Sequence, residues 1–367
     1  MSHSPFVDGL SSELVASSRV QVIASGIDAL YLSGRVHLVD SLLERLESAK
    51  ARAQASGEAV PFEFSNVVFD LAPHGWGRYP YRLAHKYGLV GLTGSSQLPA
   101  VRVQLRADFI HGLGAEAAAQ AFVDLLTTAL GSVELTVSRV DLFADVEGWD
   151  LGAEDRARFV TRAIHRDTFE EHGLFRGLLF GRRKGGGLSA RIYDKTAELA
   201  KGGATWLLDE WGKDHDPAQR VLRVEFEYGR AVLRGRGVNT LHDLFGNLGG
   251  LWAYATEEWL SLRSVGADET RSRLKVAPEW VAISQAALRG GAVGLERVAQ
   301  TTREAALRQV RNGLRGYSVS YAALNGVRDS AVMGQCLTAE LKEHEKLTGN
   351  PFGVLAERRC QQRGWCE

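Results

Sequence analysis

SRVDLFADV, residues 138–146, is the segment that decides the fold. Successive side chains of a strand point to opposite faces, so one face of this segment is wholly apolar. The other face carries Arg139, Asp141, Phe143 and Asp145. Because aspartate is disfavoured in strands, two of them in mid-strand indicate a specific role. The segment therefore predicts a strand with one face in a core and one polar face.

LRVEFEYG (Leu222–Gly229) repeats this pattern, with Arg223, Glu225 and Glu227 on one face. If the two strands are neighbours, four acids converge and, unpaired, would raise each other's pKa. A hard divalent cation relieves that repulsion, and all-oxygen ligation suits Mg²⁺ or Mn²⁺. Arginines on the same faces would be an alternative source of neutralisation, in cross-strand ion pairs. The candidate metal ligands are Asp141, Asp145, Glu225 and Glu227.

ARIYDK (Ala190–Lys195) places Arg191, Tyr193 and Lys195 on one face. A tyrosine beside such a site has a use, because its phenol attacks a phosphodiester and holds the 5′ end as a phosphotyrosine. A metal would stabilise the charge of the transition state. Arg191 and Lys195 would favour the phenolate and contact phosphates. The alternative for Tyr193 alone is an ordinary aromatic residue of a strand.

The loop before this strand is basic and rich in glycine. Arg182, Arg183 and Lys184 precede a run of three glycines, which predicts a flexible hairpin tip on a DNA backbone or a plain solvated turn. The spacing is not that of a P-loop. A second basic cluster, which would bind duplex DNA or be a solvated helix face, comprises Arg303, Arg308, Arg311 and Arg315.

The composition is typical of a globular protein, with 45% hydrophobic and 24% charged residues among 367. The net charge of zero argues mildly against a nucleic-acid binder, although a local basic stripe acts within a neutral chain. Because no long apolar stretch and no secretory signal is present, we expect a cytoplasmic protein without a membrane span. The three cysteines match no zinc pattern and are interpreted as incidental. They are Cys336, Cys360 and Cys366.

The order of elements predicts an α+β fold with a mainly antiparallel sheet. Up to residue 146 it is the order of a split βαβ, ferredoxin-like sandwich, and it partly repeats afterwards, which would fit a duplication. Strand signals fade from about residue 264. We therefore predict a catalytic domain over 1–263 and a helical C-terminal region over 264–367. Three local predictions are a turn at Gly26, a helix over 154–165 and a helix over 196–212.

At the three strands the sequence resembles the replication initiation factor family, the Rep_trans group of rolling-circle initiators and related relaxases. The resemblance covers residues 61–263. It rests on three blocks in the family's order, Ser138–Asp150, Leu178–Leu199 and Leu222–Arg230. One departure is the run of three glycines, where members often have a polar residue. Because the chain has no His-x-His pair, carboxylates would have to replace the histidine metal ligands of the wider nicking-enzyme class.

The resemblance implies that Tyr193 is the nucleophile, that Asp141 and Glu225 are the foremost metal ligands, and that Asp145 and Glu227 come next. It implies phosphate contacts from Lys195 and Arg191, a homodimer, and a superfamily-1 helicase as partner. The candidate DNA-binding residues are Arg182, Arg183, Lys184, Arg139 and Arg223.

The resulting hypothesis is a metal-dependent rolling-circle initiator or relaxase that nicks and rejoins one DNA strand through Tyr193. The target would be single-stranded at the nick. Two alternatives are a DNA-binding protein of the same fold that does not cut, and a metal-dependent phosphoesterase that uses water. The plasmid, phage and conjugative-element roles share this chemistry, so the sequence does not separate them.

Overall fold

The computed structural model of the chain describes residues 20–64, 67–183, 185–202, 206–212, 215–216, 218–268, 270–290, 314, 318 and 321–362. The chain divides into two compact units, Met1–Val298 and Ala299–Glu367. The first unit contains a large antiparallel sheet with helices packed on it, which confirms the predicted α+β class.

Eleven strands of the described residues form the main sheet, and every neighbouring pair is antiparallel. In chain order the strands are β1 (Gln21–Arg35), β2 (Val60–Phe64), β3 (Val67–Leu71), β4 (Tyr81–His85), β5 (Gly88–Leu92), β6 (Val101–Leu105), β7 (Glu134–Glu147), β9 (Arg166–Glu171), β10 (Leu174–Phe180), β11 (Leu188–Asp194) and β12 (Leu222–Gly229). Their order across the sheet is β2-β3-β4-β5-β6-β1-β7-β12-β11-β10-β9. A small second sheet pairs β8 (Phe159–Thr161) with β13 (Leu260–Leu262).

The long strands β1 and β7 lie side by side at the centre of the sheet. The predicted turn at Gly26 is wrong, because β1 runs without interruption for 15 residues and pairs with β7 along its length. Gly26 lies opposite Phe143 in that pairing. Strand β1 separates β6 from β7, so those two strands are parallel to one another and are joined by helices. The ferredoxin-like assignment and the duplication stay predictions.

Helices cover the sheet and connect its strands. In the first unit they are α1 (Asp40–Ser56), α2 (Ala107–Leu113), α3 (Ala115–Leu130), α4 (Lys195–Ala200), α5 (Leu207–Trp211), α6 (Arg230–Gly235), α7 (Leu241–Ala253) and α8 (Pro278–Ser284). The helix predicted over 154–165 is wrong, since only a 3₁₀ turn at Glu154–Arg158 precedes β8. The region predicted as one helix over 196–212 contains the short helices α4 and α5.

The core follows from the apolar faces of these elements. On α3, Ala118, Phe122 and Leu126 recur at the spacing of one helix face, and all three are buried. The apolar face of β12 is buried as well, with Phe226 packed edge-on against the ring of Trp252 in α7. This packing leaves the opposite, polar face of β7, β12 and β11 for the candidate site.

The first unit extends past residue 264, where the sequence analysis placed the domain boundary. Trp280 of α8 is fully buried in the same core cluster as the sheet. Its indole N–H donates to the carbonyl of Thr256, 2.7 Å away, and the Trp252 indole donates to the carbonyl of Ile283. Two reciprocal indole contacts therefore join the segment after residue 264 to the rest of the first unit.

In the second unit, the described residues form α9 (Ser330–Thr348) and α10 (Phe352–Gln362). Cys360 is disulfide-bonded and Cys336 is a free thiol, and the interpretation of the cysteines as incidental stays a prediction. The second basic cluster, residues 303–315, lies outside the described residues. Within the part of the chain that the structure describes, no helix has the length and apolarity needed to span a bilayer.

Replacing Trp280 with alanine should test whether α8 belongs to the core of the first unit. We expect Trp280→Ala to lower the free energy of unfolding by about 3–5 kcal/mol, because a large buried ring is removed. Urea unfolding of the full chain measures this. The control is Val265→Ala, at a residue that is 86% exposed, which should change stability by less than about 0.5 kcal/mol. Equal effects of the two substitutions would place α8 outside the core.

Candidate functional site

The register of the sheet brings the three polar strand faces together. Strand β12 lies between β7 and β11, so their polar side chains form one continuous surface. The cross-strand neighbours on this surface are Asp145 with Arg223, Arg223 with Tyr193, Glu225 with Arg191, and Glu227 with Asp141. The adjacency that the sequence analysis assumed is therefore present.

Asp145 and Arg223 form a buried ion pair, and each is 0% exposed. The Arg223 guanidinium binds both carboxylate oxygens of Asp145, at 2.6 and 2.7 Å. Asp28 of β1 binds the same guanidinium, and the Trp211 indole of α5 donates to Asp145 at 2.8 Å. Because it is buried and saturated, Arg223 does not offer the predicted contact to DNA. Both oxygens of Asp145 are likewise occupied, by Arg223 and Trp211.

Asp28 and Trp211 were missed by the sequence analysis. Asp28 lies 195 residues before its partner Arg223, and Trp211 lies 66 residues after its partner Asp145. An aspartate inside the β1 strand is itself an unusual choice, and that was the one available signal.

Asp141 and Glu227 share Arg139. The guanidinium Nε lies 2.7 Å from Asp141 Oδ1, and Nη2 lies 2.9 Å from Glu227 Oε2. Burial raises the pKa of Asp141 to about 7; Glu225 and Glu227 add to this rise, while the hydrogen bond from Arg139 opposes it. These three carboxylates therefore repel one another, and Arg139 compensates part of that repulsion.

Tyr193 lies beside Glu225. Its hydroxyl donates to Glu225 Oε2 over 3.1 Å, and Arg191 Nη2 lies 2.6 and 2.7 Å from the two oxygens of the same carboxylate. Burial, followed by Glu225, raises the pKa of Tyr193 well above its ordinary value, against the lowering effects of Arg223 and Arg191. Arg191 therefore acts on the phenol in the expected direction, but burial and Glu225 outweigh it, so Tyr193 keeps its proton in the free protein.

Lys195 is not on the strand face that the sequence analysis assigned to it. It is the first residue of α4, is nearly buried, and pairs with Glu198 one turn later. Its ammonium lies 5.6 Å from the centroid of the Tyr193 ring. Lys195 therefore places a positive charge near the Tyr193 ring and does not share a strand face with Arg191.

The polar surface has two layers. The carboxylate side chains below are 2–6% exposed, whereas the guanidinium-bearing side chains above them are 16–36% exposed. The lower layer contains Asp141, Glu225 and Glu227. The upper layer, called the guanidinium layer below, contains Arg139, Arg183 and Arg191. A ligand that approaches from solvent meets the cations first.

The residues as placed do not fit the predicted Mg²⁺ or Mn²⁺ site. Each candidate carboxylate is held by a guanidinium, so a cation would have to replace arginine contacts. In the described ranges, no group of three or more His, Cys, Asp or Glu side chains is arranged to hold a metal. The alternative of ion pairs with arginines accounts for the observed geometry, with three cross-strand pairs and the pair of Asp141 with Arg139 inside β7.

The basic hairpin between β10 and β11 closes over the end of β12. Arg183 reaches Glu227, with Nε 3.6 Å from Oε2, and Arg182 is exposed. A Cβ on Gly229 would lie 2.4 Å from the carbonyl carbon of Gly186, so the glycines permit a close approach of two backbones. Lys184 lies outside the described residues.

A cleft of about 440 Å³ opens beside Tyr193. Its cationic lining comprises Arg176, Arg183, Arg191 and Lys201, and its acidic lining comprises Glu170, Glu171, Asp194 and Glu198. Several of these pair with one another, including Lys201 with Glu171 and Arg176 with Asp194. The cleft gives access to the tyrosine without a strong net charge of its own.

His111 of α2 is buried on the same side of the sheet. Its ring packs against Phe143 and Trp206, with centroids 5.3 and 4.6 Å away. Neither ring nitrogen makes a hydrogen bond, and the nearest carboxylate, Glu210, lies 4.0 Å from Nδ1. Burial, followed by the charge of Arg223, lowers the pKa of His111 to about 3. His111 is therefore uncharged and packs at the side of the site without taking part in its ion pairs.

Comparisons with known proteins add little to this geometry. No family model matches the chain, and no curated protein matches it. Among solved structures, the chain is similar to the rolling circle replication initiator protein from Geobacillus stearothermophilus, with 15% identity and a TM-score of 0.43. The match covers 72% of this chain and 95% of that chain. At these values it establishes neither family nor activity, so the family resemblance stays a prediction.

Acid should destabilise the wild-type protein through His111. Its pKa is about 3 when folded and near 6.5 when unfolded, so the unfolded chain binds more protons between these values and stability falls as the pH falls. From pH 6.5 to pH 5, we expect wild type to lose about 2 kcal/mol more than His111→Leu. Urea unfolding at several pH values measures this. The exposed His74→Gln should behave as wild type, and parallel profiles for all three proteins would contradict the assignment.

Removal of Arg139 should create a metal site that the free wild-type protein lacks. Arg139→Ala leaves Asp141 and Glu227 without their shared cation, and a divalent ion would then relieve their repulsion. Calorimetric titration with Mn²⁺ should show saturable binding by the variant and none by wild type. Arg162→Ala, which removes an exposed arginine paired with Glu258, is the control. Saturable binding to wild type that Asp141→Asn abolishes would contradict the arginine-paired arrangement.

Proposed function

We propose that this protein nicks and rejoins one strand of DNA, as rolling-circle replication initiators and relaxases do, with Tyr193 as the nucleophile. The observation that carries the proposal is the hydrogen bond from the Tyr193 hydroxyl to the Glu225 carboxylate, 3.1 Å long, on a half-buried tyrosine beside an accessible cleft. A phenol with an adjacent base is the arrangement that nucleophilic catalysis needs.

Residues of this chain supply the nucleophile and the proton acceptor for the covalent step. The Tyr193 oxygen attacks phosphorus while the phenolic proton passes to Glu225, and the bond from phosphorus to the 3′ oxygen breaks. The leaving 3′ oxygen takes up a proton from solvent, and the 5′ end stays on the protein as a phosphotyrosine. Attack by a 3′ hydroxyl on that ester reverses the reaction and rejoins the strand. Because the pKa of Tyr193 is raised, its proton leaves during attack and not before.

The guanidinium layer would supply the charge stabilisation that the sequence analysis assigned to a metal. Arg191 is bound to Glu225 and stands 4.7 Å from the Tyr193 ring centroid, so a phosphate at the phenol also lies near this guanidinium. Planar guanidinium groups match the oxygens of a phosphate and stabilise added negative charge. Competition between phosphate and Glu225 for Arg191 would release the carboxylate to accept the proton.

Several parts of the hypothesis stay predictions. These are the need for Mg²⁺ or Mn²⁺, the homodimer, the superfamily-1 helicase partner, and the plasmid, phage or conjugative role. The water-dependent phosphoesterase receives no support from the geometry, because the carboxylates that would hold its metals are paired with arginines.

A second candidate is a DNA-binding protein that does not cut. The raised pKa of Tyr193 and the complete pairing of the acids with arginines favour it, since both describe a stable, unreactive surface. The two candidates share the ligand and differ in whether a covalent bond forms.

Tyr193→Phe should abolish covalent capture of DNA without weakening DNA binding. The substrate is a supercoiled plasmid that carries the DNA flanking this chain's coding sequence, incubated with Mg²⁺, with Mn²⁺ or with EDTA. Wild type should yield nicked circles with protein on the 5′ end that survives denaturant. Glu225→Gln should slow the reaction by about 10²-fold or more, because proton transfer loses its acceptor.

Tyr87→Phe is the matched control, since this exposed tyrosine lies in the turn between β4 and β5 and loses only its hydroxyl. An adduct formed by Tyr193→Phe at the wild-type rate would refute the assignment. Binding by wild type without any adduct, under all three ionic conditions, would favour the non-cutting candidate.

A further inference from the structure

A second aromatic and basic cluster lies on the polar side of the sheet, away from Tyr193. The guanidinium of Arg102 in β6 stands 4.2 Å from the ring centroid of Trp76 and 5.7 Å from that of Tyr31. The guanidinium of Arg139 stands 5.0 Å from the Tyr31 ring. Aromatic rings and arginines therefore alternate in one row, called the stacking row below. Its members are Trp76, Arg102, Tyr31 and Arg139.

The row is built into the sheet and is not a chance contact of long side chains. Trp76 and Tyr79 form a β-bridge that folds the loop between β3 and β4 over Gly91 of β5. A Cβ on Gly91 would stand 3.1 Å from the side chains of both Trp76 and Tyr79, so glycine permits their close approach to the β5 backbone. Arg102 is the cross-strand neighbour of Gly91, which places it beside the Trp76 ring.

The charge at this end of the row is uncompensated. Among the described residues, no carboxylate lies within 4 Å of the guanidinium of Arg102 or of Arg78, although Arg139 at the other end is paired. Burial raises the pKa of the Tyr79 hydroxyl, and the charges of Arg102 and Arg78 oppose that rise. Trp76 and Arg102 are half-buried and Arg78 is exposed. An indole ring beside two arginines without a carboxylate partner can stack on a nucleic-acid base while the arginines bind its phosphates.

The row is continuous with the candidate site through Arg139, which contacts the Tyr31 ring as well as Asp141 and Glu227. From Gly91 on β5 to Tyr193 on β11 the sheet has five strand spacings, or roughly 24 Å across the strands at about 4.8 Å each. Guanidinium side chains line much of this path, so a polyanion that crosses it meets positive charge at both ends.

We infer that the stacking row binds the single-stranded DNA that continues beyond the nick site, with a base on Trp76 and phosphates on Arg102 and Arg78. That the ligand is DNA rests on the proposed function, whereas the geometry of the stacking row does not depend on it. Single-stranded DNA fits because its unpaired bases expose π-faces, and its backbone follows a basic groove. A duplex hides those faces, so it leaves the indole without a partner.

Binding of a fluorescein-labelled 20-nucleotide oligothymidine to the full chain tests the row, by anisotropy in EDTA. Trp76→Ala should weaken binding about 10-fold, since stacking contributes about 1–3 kcal/mol per base and 1.4 kcal/mol is tenfold. Trp76→Phe keeps a ring and should recover most of the affinity. Arg102→Ala should reduce the slope of log K against log salt by about 0.7.

Arg162→Ala is the matched control, because Arg162 also stands over an aromatic ring, that of Tyr254, 6.0 Å from its centroid. It should bind as wild type does. Wild-type affinity in Trp76→Ala and Arg102→Ala would overturn the inference, even if wild type forms the Tyr193 adduct. Conversely, loss of binding in these variants would support it even if no adduct forms. A 20-base-pair duplex that binds as tightly, with the same loss in both variants, would overturn the single-strand assignment.

Discussion

The pairing of the buried acids with arginines is the interaction on which the site depends, and it crosses between neighbouring strands for Asp145, Glu225 and Glu227. Asp145 and Arg223 are both fully buried, and an unpaired charge in that position would cost several kcal/mol. A slip of one residue between β7 and β12 would turn these side chains to the opposite face and leave both charges in the apolar core. The register is therefore tightly specified, and the register places Tyr193 next to Arg223 and Glu225 next to Arg191. The position of the candidate nucleophile thus follows from charge neutralisation elsewhere on the same strands.

The surroundings of Tyr193 explain why it is protonated in the free protein. Burial is the largest effect on the pKa of Tyr193 and raises it, Glu225 adds to the rise, and the lowering effects of Arg223 and Arg191 do not offset them. A phosphate changes this balance because it brings a negative charge that competes for Arg191. Under the proposed function, the substrate itself would create the conditions for proton transfer to Glu225, and a phenol without DNA would stay unreactive. Such coupling protects a nucleophile that has no substrate.

The sequence predicted the strand faces and left their partners open. The period-two patterns at 138–146, 190–195 and 222–229 are local, and each became a strand with the expected polar face, except that Lys195 begins the helix after β11. The choice between a metal and arginines was not predictable, because both answer the same Coulomb repulsion among Asp141, Glu225 and Glu227. Asp28 and Trp211 were missed because chain distance hides such contacts. The helix predicted over 154–165 failed for a related reason, since β8 is fixed by pairing with β13 about a hundred residues later.

Arg139 links the two parts of the polar face. Arg139 is charged, because the lowering effect of burial on the pKa of its guanidinium is outweighed by Asp141, Glu227 and the Tyr31 hydroxyl, which raise it. One side of this guanidinium holds the acids beneath the site, and its face lies over the Tyr31 ring. A strand of DNA that displaced Arg139 from Tyr31 would also disturb Asp141 and Glu227, two residues from Glu225 on the same sheet surface. Occupation of the stacking row and the electrostatics around Tyr193 are therefore connected through one side chain, without any movement of the sheet.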